Sequence, residues 1–104
     1  MVEEVVKEIL WTDKARLTFN NNVDYLRSEW TEKEVEKFIA NTTKMLSTLK
    51  RYPEICRPSL KRKNVRIGIL NKYTQLVYHY NPRKKQIVIL LFWNPKQDPA
   101  KLKY

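Results

Sequence analysis

Seven consecutive apolar residues, Ile87 to Trp93, constrain this chain more than any other feature in it. Seven residues are too few to cross a membrane. They suit a β-strand that lies inside a sheet, with something packed on each face. The preceding run, Tyr73 to Tyr80, is dense in aromatic and β-branched residues, which favour a pleated, half-buried surface. Between the two lies Asn81-Pro82-Arg83-Lys84-Lys85, where Asn opens a turn and Pro presets φ at its second position. Five residues closing a hairpin is the reading this supports.

The rest of the chain supplies partners for that hairpin. Val5 to Trp11 reads as a first strand with Val5, Ile9 and Trp11 on one side. Thr12 or Asp13 is a suitable N-cap, and Ala15, Phe19, Val23, Leu26 and Trp30 then form one helical stripe. Asn20, Asn21 and Asn22 fall between stripe positions and are expected on the solvent side. Thr31 and Glu34 have capping-box spacing ahead of a second stripe: Val35, Phe38, Ile39, Thr42, Met45, Leu46 and Leu49. Pro53 restricts Tyr52 to extended backbone and should stop this helix near Lys50. Arg51 to Asn64 has no periodicity and reads as a loop. Val65 to Leu70 alternates as a strand, with Val65, Ile67 and Ile69 on one side and Arg66, Gly68 and Leu70 on the other. The expected fold is a single α+β domain over residues 1–104. Its order is strand, helical hairpin, then an antiparallel three-stranded meander, with the helices on one sheet face. Turning the more apolar sides toward the helices brings Arg66, Gln75 and His79 together on the open face. Asp98-Pro99 in the tail could open no more than a turn.

Charge is unevenly spread. The chain carries a formal +10, yet residues 1–50 hold 8 basic and 9 acidic side chains, while residues 51–85 hold 10 basic and one acidic, Glu54. A balanced half beside a basic half points to one electrostatically active face, toward nucleic acid or an acidic protein. One cysteine cannot staple the domain, so a reducing cytoplasm is expected. The start, Met1-Val2-Glu3-Glu4, lacks the basic region and long apolar run of a signal peptide. No membrane association is expected.

Chemistry offers little. One His and one Cys close no zinc site, one glycine makes no phosphate loop, and no cofactor is expected. Cys56 and His79 as nucleophile and base are outweighed by their ordinary roles in loop and strand. Paired carboxylates are missing from residues 51–104, which hold only Glu54 and Asp98. What remains is cations interleaved with aromatics. Arg57, Lys61, Arg62, Lys63, Arg66, Lys72, Arg83, Lys84 and Lys85 could hold phosphates, and Tyr73, Tyr78, Tyr80 and Trp93 could stack bases. Core packing competes for the aromatics, above all Tyr78 and Tyr80.

Several features resemble the RelE/ParE superfamily of bacterial toxins. They are a strand, a helical hairpin, a basic loop after Tyr52-Pro53, the strand Gln75-Leu76-Val77-Tyr78, and a final strand running through Phe92-Trp93-Asn94 to Gln97-Asp98-Pro99. The resemblance covers about Val5 to Leu102. It implies the toxin of a type II toxin–antitoxin (plasmid stabilisation) module in the bacterial cytoplasm, neutralised by an acidic antitoxin segment, amphipathic or disordered in isolation. RelE-like members cut mRNA on the ribosome with lysine and arginine side chains. ParE-like members carry no such catalysis and poison DNA gyrase.

The chain departs from the nuclease pattern at the positions that matter. By register the phosphate-holding strand arginine falls at Gln75, and two lysines fall at Arg66 and Gly68. A later arginine falls near Lys96, and a terminal tyrosine matches Tyr104 only loosely. Glutamine replaces a planar charged fork with one neutral amide. Losing a donor at such a site removes about 3–4 kcal/mol of transition-state stabilisation. The expected function is therefore a ParE-like growth inhibitor that binds gyrase. The runner-up is a ribosome-dependent endoribonuclease built on Arg66, Lys63, Lys96 and His79, and a non-toxic nucleic-acid-binding module is a third reading. The expected target- or nucleic-acid-binding set is Arg57, Lys61, Arg62, Lys63, Arg66, Gln75, Arg83, Lys84 and Lys96.

Overall fold

The computed structural model describes residues 5–94. The order is β1 (Glu8–Trp11), α1 (Asp13–Glu29), α2 (Glu32–Arg51), β2 (Arg57–Pro58), β3 (Val65–Asn71), β4 (Thr74–Asn81) and β5 (Gln86–Trp93). The strands form one sheet in the order β1-β5-β4-β3-β2. β1 runs parallel to β5, and every other neighbour is antiparallel. The strand, helical hairpin and meander are thus as expected from the sequence. β2 is an addition to that expectation, a two-residue rung on the β3 edge inside a stretch read as loop. Pro58 suits an edge because it has no N–H to donate.

Both helices pack on one sheet face. Their shared core joins Ala15, Leu26, Val35, Phe38 and Leu49 to Leu70, Leu76, Tyr78, Ile87, Ile89 and Phe92. Trp11, Phe19, Phe38 and Phe92 make its aromatic centre, with ring centroids 5.1–6.1 Å apart. Burying such rings supplies much of the stability of a small core. Two stripe residues fall outside it. Trp30 is 48% exposed beyond the end of α1, tilted against Tyr73, and Ile39 is 45% exposed. Of Asn20, Asn21 and Asn22, only Asn22 is partly buried; its amide donates to the Thr18 carbonyl at 2.9 Å.

Thr12 is the N-cap of α1, its hydroxyl oxygen accepting from Ala15 N at 3.0 Å. The same hydroxyl lies 3.0 Å from the carbonyls of Ile89 and Leu90. Farther along α1, Thr18 Oγ1 accepts from Phe92 N at 2.9 Å. The threonines act where β5 needs them, because β1 pairs with β5 only as far as Ile89. There β5 also bulges: Tyr78 pairs with Ile89 but Val77 with Leu91, leaving Leu90 as the extra residue. A bulge strands backbone polar groups that must find partners. It also resets the alternation, so Phe92 joins Ile87 and Ile89 toward the helices while Leu91 and Trp93 face away.

Two local expectations are corrected. Thr31 is the N-cap of α2 but makes no side-chain capping bond; the Glu34 amide donates to the Thr31 carbonyl instead. The side chain active at this junction is Glu32, paired with Arg27 through Nε at 3.0 Å and Nη2 at 3.3 Å. Val5 does not extend β1. The amides of Val5 and Val6 both donate to the Lys50 carbonyl, one of the orphan acceptors at the end of α2.

Candidate functional site

The register of β3 against β4 decides which side chains meet. Val65 pairs with His79, Arg66 with Tyr78, and Ile69 with Gln75. Gln75 and His79 therefore share a face with Val65, Ile67 and Ile69, and Arg66 points to the other face with Gly68 and Leu70. The expected convergence of Arg66, Gln75 and His79 does not occur. The reason is that the sides of β3 are reversed relative to the sequence reading: Leu70 packs into the helix-side core, and Val65 and Ile67 pack away from it.

Gly68 explains the reversal. A Cβ there would lie 2.8 Å from Cys56 Sγ and 3.4 Å from Met45 Cε. The missing side chain lets α2 and the Cys56 loop close on the sheet. The position that the resemblance aligns with a nuclease lysine thus points into the interior. On the far face Val65, Val77 and Leu91 are buried, with Ile67, Leu90 and Trp93 packed against them. That face is an apolar second core rather than an open cationic one. Gln75 Oε1 is buried in it with no hydrogen-bond partner.

Arg66 is held firmly. Its Nη1 donates to the carbonyls of Glu54 at 3.0 Å and Cys56 at 2.7 Å, and Nη2 lies 3.8 Å from Glu54 Oε2. Below it the Tyr78 hydroxyl donates to the Pro53 carbonyl at 2.7 Å. Burial is the main cause pushing the Tyr78 phenol far above its ordinary range, and burial likewise raises the Cys56 thiol. Both groups stay protonated at neutral pH, and Cys56 is no activated nucleophile. It also lies on the opposite side of the sheet from His79. Tyr78 is fully buried and Tyr80 nearly so, which removes both as base-stacking platforms.

The Arg66 guanidinium borders a recess of about 380 Å3 that is also lined by Arg62, Lys63, Asn64, Ser59, Tyr80, Glu54 and Pro82. Its basic wall is a short ordered loop. Ser59 N donates to the Val65 carbonyl at 2.7 Å, Lys61 N to Ser59 Oγ at 3.1 Å, and Tyr80 N to the Asn64 carbonyl at 3.0 Å. Asn64 turns the chain at φ 63°, a left-handed conformation that asparagine tolerates. Of the expected binding residues, Arg62, Lys63 and Arg66 come together here. Arg57 stands exposed on β2, Lys61 is exposed on the loop, and Arg83 and Lys84 are exposed at the hairpin tip. Gln75 and His79 lie on the other face, and Lys96 and Tyr104 fall outside the described residues.

A second hollow of about 390 Å3 adjoins the first, lined by Val5, Tyr52, Pro53 and Ile55 and sharing Glu54 and Tyr80 with it. Tyr52 and Ile55 are 48% and 61% exposed. In the sequence Tyr52-Pro53 marks a helix stop and one feature of the family resemblance, with no binding role attached. An aromatic and an isoleucine flanking the only acid of a basic stretch were the signal available for this hollow.

The fold belongs to the class of small α+β domains in which a helical hairpin covers one face of a mixed sheet. A solved structure described as the chromosomal ParDE TA system from P. aeruginosa shares it: TM-score 0.70 over 86% of this chain and 97% of that one, at 18% identity. The fold that the RelE/ParE resemblance implied is therefore the fold of this chain. No family model and no curated protein matches the sequence. Among the described residues no helix is long and apolar enough to cross a membrane.

Proposed function

We propose that this chain is the toxin of a type II toxin–antitoxin module, that it inhibits growth in the bacterial cytoplasm, and that it acts by binding DNA gyrase rather than by cutting RNA. The observation that carries the choice of mechanism is the division of the candidate catalytic groups between two sheet faces. Arg66 is on the helix side with Nη1 committed to two carbonyls, while His79 is on the far side, together with Gln75, the position where the nuclease pattern has its phosphate-holding arginine. Acid–base chemistry on one phosphate needs its groups within hydrogen-bond reach of the same atoms. The shared fold with a ParDE structure supports the toxin reading. The partner in this reading is a cognate antitoxin with an acidic segment, which complements a stretch of ten basic residues and one acid. The basic loop with Arg57 and Lys61, and the tip with Arg83 and Lys84, form the target-facing surface.

One observation favours the nuclease as a second reading: Arg62, Lys63 and Arg66 share a recess, and Lys96 would have to complete it. Induction of this chain alone in a bacterial culture separates the two. With protein and DNA synthesis pulse-labelled in parallel, the gyrase reading expects DNA synthesis to fail first, with a DNA-damage response. Collapse of protein synthesis within minutes, with DNA synthesis persisting, replaces it with the ribosome-directed nuclease. Arg66→Ala should then abolish the effect while antitoxin binding survives.

A further inference from the structure

We propose that the basic recess and the adjoining apolar hollow together form a binding site for a free nucleoside monophosphate. Three features of the paired hollows point to that chemistry. Arg62, Lys63 and Arg66 give one hollow three cations against a single carboxylate, and Arg62 and Lys63 carry no ion pair among the described residues. Phosphate monoesters are held by such convergent, charge-assisted donors. Arg66 is already oriented by its two carbonyl partners, so little rotamer freedom remains to be lost when an anion arrives. The second hollow presents the exposed Tyr52 ring with Pro53 and Ile55, an apolar surface suited to a planar base.

Between the two stands Glu54, which lines both and whose side chain is 65% exposed. A carboxylate at the midpoint is a poor neighbour for a second phosphate but a good acceptor for the hydroxyls of a ribose, a use carboxylates have in other nucleotide sites. Each hollow, at about 380 and 390 Å3, lies at the lower end of the roughly 300–1,000 Å3 range of small-molecule clefts. Phosphate, sugar and base then fall on the cations, the carboxylate and the tyrosine in that order. The site needs no catalysis and no antitoxin, so it stands or falls independently of the toxin reading.

Titration of the full chain with AMP, followed by calorimetry and by amide chemical shifts, tests this. AMP is expected to bind with shifts centred on residues 52–55, 62–66 and 80, and adenosine and inorganic phosphate should each bind at least about tenfold more weakly. The exposed double variant Arg62→Ala/Lys63→Ala should weaken AMP by about tenfold or more and leave adenosine unchanged. Tyr52→Ala should weaken AMP and adenosine but not phosphate. AMP should also exceed 2′-deoxy-AMP in affinity, and Glu54→Gln should narrow that preference. Lys37→Ala, on the exposed side of α2, is the control for diffuse charge. The proposal is overturned by no AMP binding at low salt, by phosphate binding as tightly as AMP, or by Lys37→Ala weakening AMP as much as the recess variant. Preference for a single-stranded oligonucleotide lacking a terminal phosphate also overturns it, and makes the recess a strand-binding groove.

Discussion

The two faces of the sheet are both apolar, yet they are built differently. The helix-facing side is filled by large aromatic side chains and closed by a position with no side chain, Gly68. The far side is a smaller cluster, mostly branched aliphatics around Val77 with Trp93 packed against them, and one amide oxygen, that of Gln75, is left without a partner. Hydrophobicity alone does not distinguish them, since Val65, Ile67 and Ile69 are the more apolar side of β3 and still face away from the helices. Clearance does: the face that receives a helix is the one on which α2 can approach the backbone.

The largest test of this contrast removes an aromatic from the helix side. Phe38→Ala should cost about 3–5 kcal/mol in chemical denaturation, whereas Leu91→Ala on the far face should cost less, about 2–3 kcal/mol. Equal losses would mean that the faces contribute alike. Gly68→Ala sharpens the point about clearance. Its new methyl meets Cys56 Sγ, and about 1–3 kcal/mol should be lost through overpacking. A Gly68→Ala protein as stable as the parent would refute the close-approach argument. A smaller effect is expected from Tyr78→Phe, which strands the Pro53 carbonyl and should lower stability by about 1–2 kcal/mol. The smallest, and opposite in sign, is Gln75→Met: deleting an unpartnered buried oxygen should leave the denaturation midpoint unchanged or raise it slightly. A loss of 1 kcal/mol or more there would reveal that the amide has a structural partner after all.

Features set within a few residues were legible in the sequence. The Thr12 cap, the end of α2 before Pro53 and the Asn81 turn are of this kind. Asn81 Oδ1 indeed accepts from the amides of Arg83 and Lys84 at 3.1 and 3.2 Å. What escaped the reading depends on distant partners. Alternation sorts β3 into two sides but cannot say which one meets a helix, and that choice rests on Gly68 against Cys56 and Met45. The bulge at Leu90 is equally silent, because a run apolar on both faces looks the same with or without an extra residue. The candidate site suffered directly. Alternation alone puts Arg66 on the wrong face, and the recess it shares with Arg62 and Lys63 is shaped by the loop's own hydrogen bonds rather than by any periodicity.

Thr12 and Thr18 carry a consequence for synthesis. Their bonds to β5 span 74 to 78 residues of chain, and β1 reaches across a similar distance to the same strand. Contacts so remote in sequence are late and slow to form. As the chain emerges from the ribosome, α1 and α2 can pair early, but neither the aromatic centre nor the N-terminal part of the first helix finds its partners until β5 has appeared. The native fold is thereby deferred until translation has passed Trp93, and a chain stopped short of β5 would keep its apolar helix faces open to solvent and to quality control.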